Sequence, residues 1–204
     1  MYGTIVVVGI EMRRHDIPVF IKAFQENLIK TLLQGDTIKD IYDTGLENPL
    51  DLVTNSIDLI MTGGEMKISD LVITKTMGRE ISKYNALFPH VSAALQLNNK
   101  GKTPKKGDEV GFINTESKHK NPLRRIKAID ASENDDHNHQ QSELAVQYDR
   151  EKYLQLLLDA AETVLAPFGF DRKLLGDGNA RITDWREELR KEREISLQLE
   201  REGG

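Results

Sequence analysis

The stretch Asp70-Leu71-Val72-Ile73-Thr74-Lys75, followed by Tyr84 and then Phe88-Pro89-His90-Val91-Ser92-Ala93-Ala94, decides how this chain is read. The β-branched run predicts a short strand over residues 71–74 that delivers a cation at its end. Tyr84 adds a polar aromatic. Pro89 suits the first turn of an alanine-rich helix, and His90 stands in that turn. Cation, phenol and imidazole brought together can hold a phosphate anion while leaving every base unread.

The neighbouring segments follow from spacing. The helix opened by Pro89 runs through Val91, Ala94, Leu95 and Leu97 and ends near Gly101. Residues 102–106 read as a loop, 107–114 as a turn and strand, and 123–129 as another strand. Upstream, residues 4–10 are β-branched apart from Gly9 and read as a strand that needs a partner on its edge. Asp16 is placed to cap a first helix over 17–33, with Ile17, Phe20, Ile21, Phe24, Leu28 and Leu32 at helical intervals. Asn48-Pro49 starts a second helix that stops at Gly63-Gly64, and residues 148–168 carry the strongest helical pattern, stopped by Gly169. Residues 131–143 are acidic, polar and His-bearing and read as a mobile loop. Asp135, His137 and His139 within it could ligate a metal, but a loop without a rigid supporting shell is read as polar connection, and no metal site is assigned. The expected fold is α+β and mainly helical, with short β elements.

Composition excludes several classes. Cysteine is absent from the 204 residues, so neither a disulfide framework nor a thiolate metal site is available. No apolar run approaches the roughly 20 residues of a membrane helix. The beginning of the sequence lacks a basic start and a small-residue cleavage site, so a cytoplasmic protein with no membrane partner is expected. Net charge is −5, but it is unevenly spread. Residues 66–127 hold 13 Lys+Arg against 5 Asp+Glu, net +8, between two acidic ends. Such a centre presents one positive face to a polyanion, or is simply a solvated charged surface.

Read in order, these motifs resemble the end of the palm and the thumb of family B DNA polymerases. The family's palm-to-thumb passage stands here as Gly9, Glu11, Arg13, Arg14 and Asp16. Thr74-Lys75, Tyr84 and Pro89-His90-Val91 with Ala93 and Ala94 match the thumb that follows. Gly107-Asp108 with Val110 resembles the family's turn before a strand, and Tyr148-Asp149 with Tyr153 resembles its helix ending in Phe168-Gly169. The resemblance covers residues 3–185, with the loop at 132–141 departing from it. It implies residues 1–16 as the last palm strand, 17–176 as the thumb, and 177–204 as a charged tail helix.

The resemblance also implies what the chain does. Family B polymerases hold two Mg²⁺ ions on palm carboxylates in Asp-x-x-Ser-Leu-Tyr and Tyr-x-Asp-Thr-Asp motifs, and this sequence contains neither. The implied protein is the non-catalytic thumb part of a DNA-directed DNA polymerase, the small subunit of a split archaeal enzyme, inactive alone. Its partners are a primer–template duplex and a larger chain carrying exonuclease, palm and fingers, with Mg²⁺ in that chain's palm. A stand-alone DNA-binding or regulatory protein derived from a thumb is the alternative. Arg13, Arg14, Lys75, Arg79, Tyr84, His90, Lys105 and Lys106 are the implied DNA contacts. Against this, Arg13 and Arg14 could pair with Glu11 or Asp16, Lys75 could be a solvated strand end, and Tyr84 with His90 could be a buried hydrogen-bonding pair. The loop lysines could be solubilising only. Near the end, Asn179, Ile182 and Trp185 resemble a sliding-clamp box in which Asn replaces Gln and Arg186 stands where an apolar residue is expected. Trp185 packing on the chain's own body remains the other reading.

Overall fold

The computed structural model describes residues 16–33, 47–63, 66–130, 147–170 and 172. Apart from Asp16, the strand expected within residues 1–16 lies outside them, as do the 131–143 loop and the 177–204 tail. The chain divides into two compact units, residues 1–160 and 161–204.

In the first unit, helix α1 spans Val19–Leu32 and buries Ile21, Phe24, Gln25, Leu28 and Leu32 on one stripe. Pro18, not Asp16, occupies its N-cap position, and no side chain caps it. The Asp16 carboxylate is drawn to Lys75 instead. Helix α2, Glu47–Thr62, packs on α1 through Leu50, Val53, Ile57 and Ile60. The one-turn helix α3, Ile68–Leu71, takes the place where the sequence predicted a strand to begin. Asp70 explains the shift: its carboxylate accepts from the Lys67 N–H at 3.3 Å and closes a helical turn. The strand β1 therefore occupies Ile73–Thr76, later than expected. Residues 81–83 form only a 3₁₀ turn.

Helix α4, Pro89–Asn99, lies on an antiparallel sheet of order β1-β2-β3, with β2 at Glu109–Asn114 and β3 at Ile126–Ile129. The expected 123–129 strand is shorter because Pro122–Arg124 makes a 3₁₀ turn under an Asn121 cap. Small residues Ala93 and Ala94 let α4 approach the sheet, where they pack with Ile73, Met77, Val110, Phe112, Ile126 and Ala128. Gln96 fixes the register of helix on sheet. Its amide donates to the Leu123 and Ile126 carbonyls at 2.7 and 3.0 Å and accepts from the Ala128 N–H at 2.8 Å. Gln96→Leu should cost about 1–2 kcal/mol, read as a shift in the urea midpoint, since water at this half-buried site can replace part of what is lost.

Helix α5 spans Arg150–Leu165, shorter than the 148–168 pattern because Tyr148 and Asp149 act before it and a 3₁₀ turn, Ala166–Phe168, follows. The buried Gln25 amide donates to the Ala160 carbonyl at 3.2 Å and ties α5 to α1. The second unit continues α5 to the 3₁₀ turn. There Gly169 at φ 88° accepts the left-handed conformation that ends it, and Arg172 pairs with Glu162 at 2.7 Å.

Candidate nucleic-acid interface

Strand register places Lys75. Ile73 pairs with Phe112 and Lys75 with Val110, so Lys75 shares the helix-covered face of the sheet with three core residues. It lies two residues beyond Ile73, and its side chain is 46% exposed. Its ammonium stands 3.4 Å from the Asp16 carboxylate. It is thus an accessible, weakly paired cation at the sheet's end.

The segment after β1 turns back on itself through Tyr84. The phenol oxygen accepts from the Gly78 and Arg79 N–H groups at 3.0 and 3.2 Å. That fixes the backbone from which the exposed Arg79 side chain projects. The Tyr84 ring meets the His90 ring edge-on, centroids 5.5 Å apart, and the Phe88 ring stacks on His90 at 5.9 Å with 10° between planes. Partial burial, aided by the charge of Lys75, holds the His90 imidazole below its ordinary range, so it is neutral at pH 7. Tyr84 and His90 touch through their rings, not through a hydrogen bond to each other.

The turn before β2 joins the same end. Met77 donates to the Asp108 carbonyl and Gly107 to the Met77 carbonyl, both at 2.8 Å. Gly107, at φ 97°, gives the backbone the left-handed turn this exchange requires. The segment of the exposed Lys105 and Lys106 is thereby brought beside Met77 and the Glu80 carboxylate. Two acids in this rim are engaged with backbone: Asp108 accepts from the Lys105 N–H at 2.8 Å, and Glu80 from that of Lys106 at 3.5 Å. Of the sequence-predicted set, Lys75, Arg79, Tyr84, His90, Lys105 and Lys106 gather at this end of the sheet. Arg13, Arg14, Asn179, Ile182 and Trp185 lie outside the described residues.

Sequence reasoning missed two features. Asp16 as the partner of Lys75 has no local signal, since 59 residues separate them. Phe88 and Leu87 are 52% and 45% exposed, although apolar residues beside an amphipathic helix are more often read as core. Away from the rim, a shallow cleft of about 440 Å³ is lined by Asn114, Ser117, Lys118, Arg125, Asp149 and Lys152 among others. Lys118 spans part of it to Glu151 at 2.5 Å. Among the described residues no group of three or more His, Cys, Asp or Glu side chains is placed to hold a metal ion, and no helix is long and apolar enough to cross a membrane.

Comparison with known proteins adds the following. The family model described as DNA polymerase family B matches residues 2–168. The DNA polymerase of Pyrococcus horikoshii is 27% identical over 172 residues, covering 84% of this chain and 12% of that protein. DNA polymerase 2 of Aeropyrum pernix is 29% identical over 181 residues, covering 89% and 20% respectively. The chain therefore spans about an eighth to a fifth of the length of these curated relatives. Among solved structures, the family B DNA polymerase from Pyrobaculum calidifontis superposes with a TM-score of 0.58 at 22% identity, over 76% of this chain and 18% of that one.

Proposed function

The chain belongs to DNA polymerase family B, and we propose that within such a polymerase it is the non-catalytic thumb. In that role it grips the primer–template duplex through its phosphates and completes a larger chain carrying exonuclease, palm and fingers. One observation carries this reading: the backbone segments that bear Lys75, Arg79, Lys105 and Lys106 meet at one end of a sheet, fixed there by Tyr84 and by the Met77–Asp108 exchange. A rim of cations on a rigid frame suits a regular array of phosphates and reads no sequence. The two Mg²⁺ ions of the polymerase reaction we assign to the larger chain, since this sequence carries neither of the palm carboxylate motifs that hold them in the family. In this reading a sliding clamp is a further partner through Asn179, Ile182 and Trp185, and the protein works in the cytoplasm.

Lys75 would contribute by exchange. Its carboxylate partner, at 3.4 Å and partly exposed, is easily outcompeted by a phosphate that brings more charge. The neutral His90 beside it can offer a ring N–H to a phosphate oxygen without adding a like charge next to Lys75.

The test has two parts. Added to a family B polymerase chain that lacks its thumb, this chain should raise primer extension and duplex affinity; no change in either would sink the subunit reading. With the chain alone on duplex DNA, Lys75→Ala with Arg79→Ala should reduce the slope of log affinity against log salt by about 1–2 units. An unchanged slope removes both residues from the phosphate contacts.

A further inference from the structure

We propose that Phe88 is a stacking platform for an unpaired base, so that this face also takes single-stranded DNA where a duplex end has opened. The proposal rests on the DNA-gripping reading above and adds to it a second mode of contact, with bases instead of phosphates.

The backbone dictates the exposure. A residue that precedes proline is pushed out of the helical region. Phe88 accordingly sits at φ −64°, ψ 158°, outside the helix that Pro89 begins. Its side chain leaves the row that Val91, Ala94 and Leu97 use to reach the core, and 52% of the residue is open to solvent. A single exposed phenylalanine is ordinary on a protein surface. This one differs in two respects. Its ring is already oriented, lying within 10° of the His90 plane, while His90 is buttressed edge-on by Tyr84. An aromatic held this way loses little conformational entropy when a second flat group settles on it.

The second respect is charge. Tyr84, which braces His90, is bonded to the backbone at Gly78 and Arg79, and Lys75 is close enough to the imidazole to disfavour its protonation. Lys83, in the turn just before Tyr84, is also exposed. A flat apolar surface edged by cations fits a partner that is itself flat, apolar and strung on an anionic chain. Nucleotides of a single strand have that chemistry. Bases inside a duplex are already stacked, so only an unpaired base can use the platform. An apolar protein segment would gain from Phe88 and Leu87 but would leave the cations without a purpose.

The experiment uses the full chain and two fluorescent probes of equal length, an oligo(dT) strand and a blunt duplex, at one salt concentration. Phe88→Ala should weaken single-strand binding about 5- to 100-fold and leave duplex binding within about 2-fold of the original. Phe88→Trp should keep the single-strand affinity, and its added emission, above the baseline of the native Trp185, should be quenched by oligo(dT). Equal losses on both probes, no loss on either, or an unquenched indole would overturn the proposal. Since Phe88 lies outside the core, the alanine variant should keep its melting temperature. The grip fails separately, through an unchanged salt slope on duplex DNA in the Lys75→Ala, Arg79→Ala variant.

Discussion

Replacing Tyr153 with phenylalanine should destabilise the fold by about 2–4 kcal/mol, although only one oxygen is removed. That oxygen donates to the Leu71 carbonyl at 2.7 Å and accepts from the Asn114 N–H at 3.2 Å. Tyr153 is fully buried, so no water can take over either bond. The variant leaves a carbonyl and an N–H without partners in a dry interior, each costing about 1–3 kcal/mol. Burial pushes the Tyr153 phenol far above its ordinary range, against the opposing pull of the Asn114 N–H, so the proton it donates is retained at every working pH. Urea denaturation should show a lower midpoint with an unchanged slope. A midpoint within about 0.5 kcal/mol of the original would mean that these bonds are not made in solution. Leu71 ends α3 two residues before β1, and Asn114 ends β2, so in this antiparallel pair one hydroxyl ties the two strands together at the end away from Lys105 and Lys106.

Much of this was readable from local pattern. The stripes of α1 and α2 follow side-chain spacing that any buried amphipathic helix must show, and Pro89 marks the start of α4 by its fixed φ and missing donor. Failures came where a distant or competing partner outbid the local preference. Asp16 has the chemistry of a cap, yet it faces a lysine 59 residues away. Leu71 has the neighbours of a strand residue, yet Asp70 closes a helical turn around it. The site was legible as a set of residue types along the chain. Its assembly was not, because the link that brings Lys105 and Lys106 to β1 is a backbone exchange between Met77, Gly107 and Asp108 that carries no side-chain signature. The exposure of Phe88 was hidden for a related reason: its identity argues for the core, and only the backbone set by the following proline turns it outward.

Asp149 should make stability depend on acid, and Asp149→Ala should remove that dependence together with about 2–3 kcal/mol at pH 7. The residue precedes α5 and its carboxylate does two jobs. One oxygen accepts from the Lys152 N–H at 3.0 Å, satisfying an orphan donor of the first turn. The other accepts from the Ser117 N–H at 2.7 Å, pinning the start of the β2–β3 connection onto the helix. Asp149 also donates its own N–H to the Asn114 carbonyl at 3.0 Å, so strand end, connection and helix start meet at one residue. Partial burial acts to raise the carboxyl pKa, but the N–H bonds from Lys152 and Ser117, with the charge of Lys118, outweigh it and hold the group below its ordinary value of 3.8. Because the folded pKa is the lower one, the unfolded chain binds the proton more readily. The stabilisation is therefore complete above pH 3.8 and is lost as the pH falls from there through the folded value. Asp149→Asn keeps an oxygen for one N–H and should fall between the two proteins at pH 7, with the acid step flattened. Chemical denaturation of all three between pH 2 and pH 7 reads the effect directly. An acid step of equal size in Asp149→Ala would assign that step to other carboxylates.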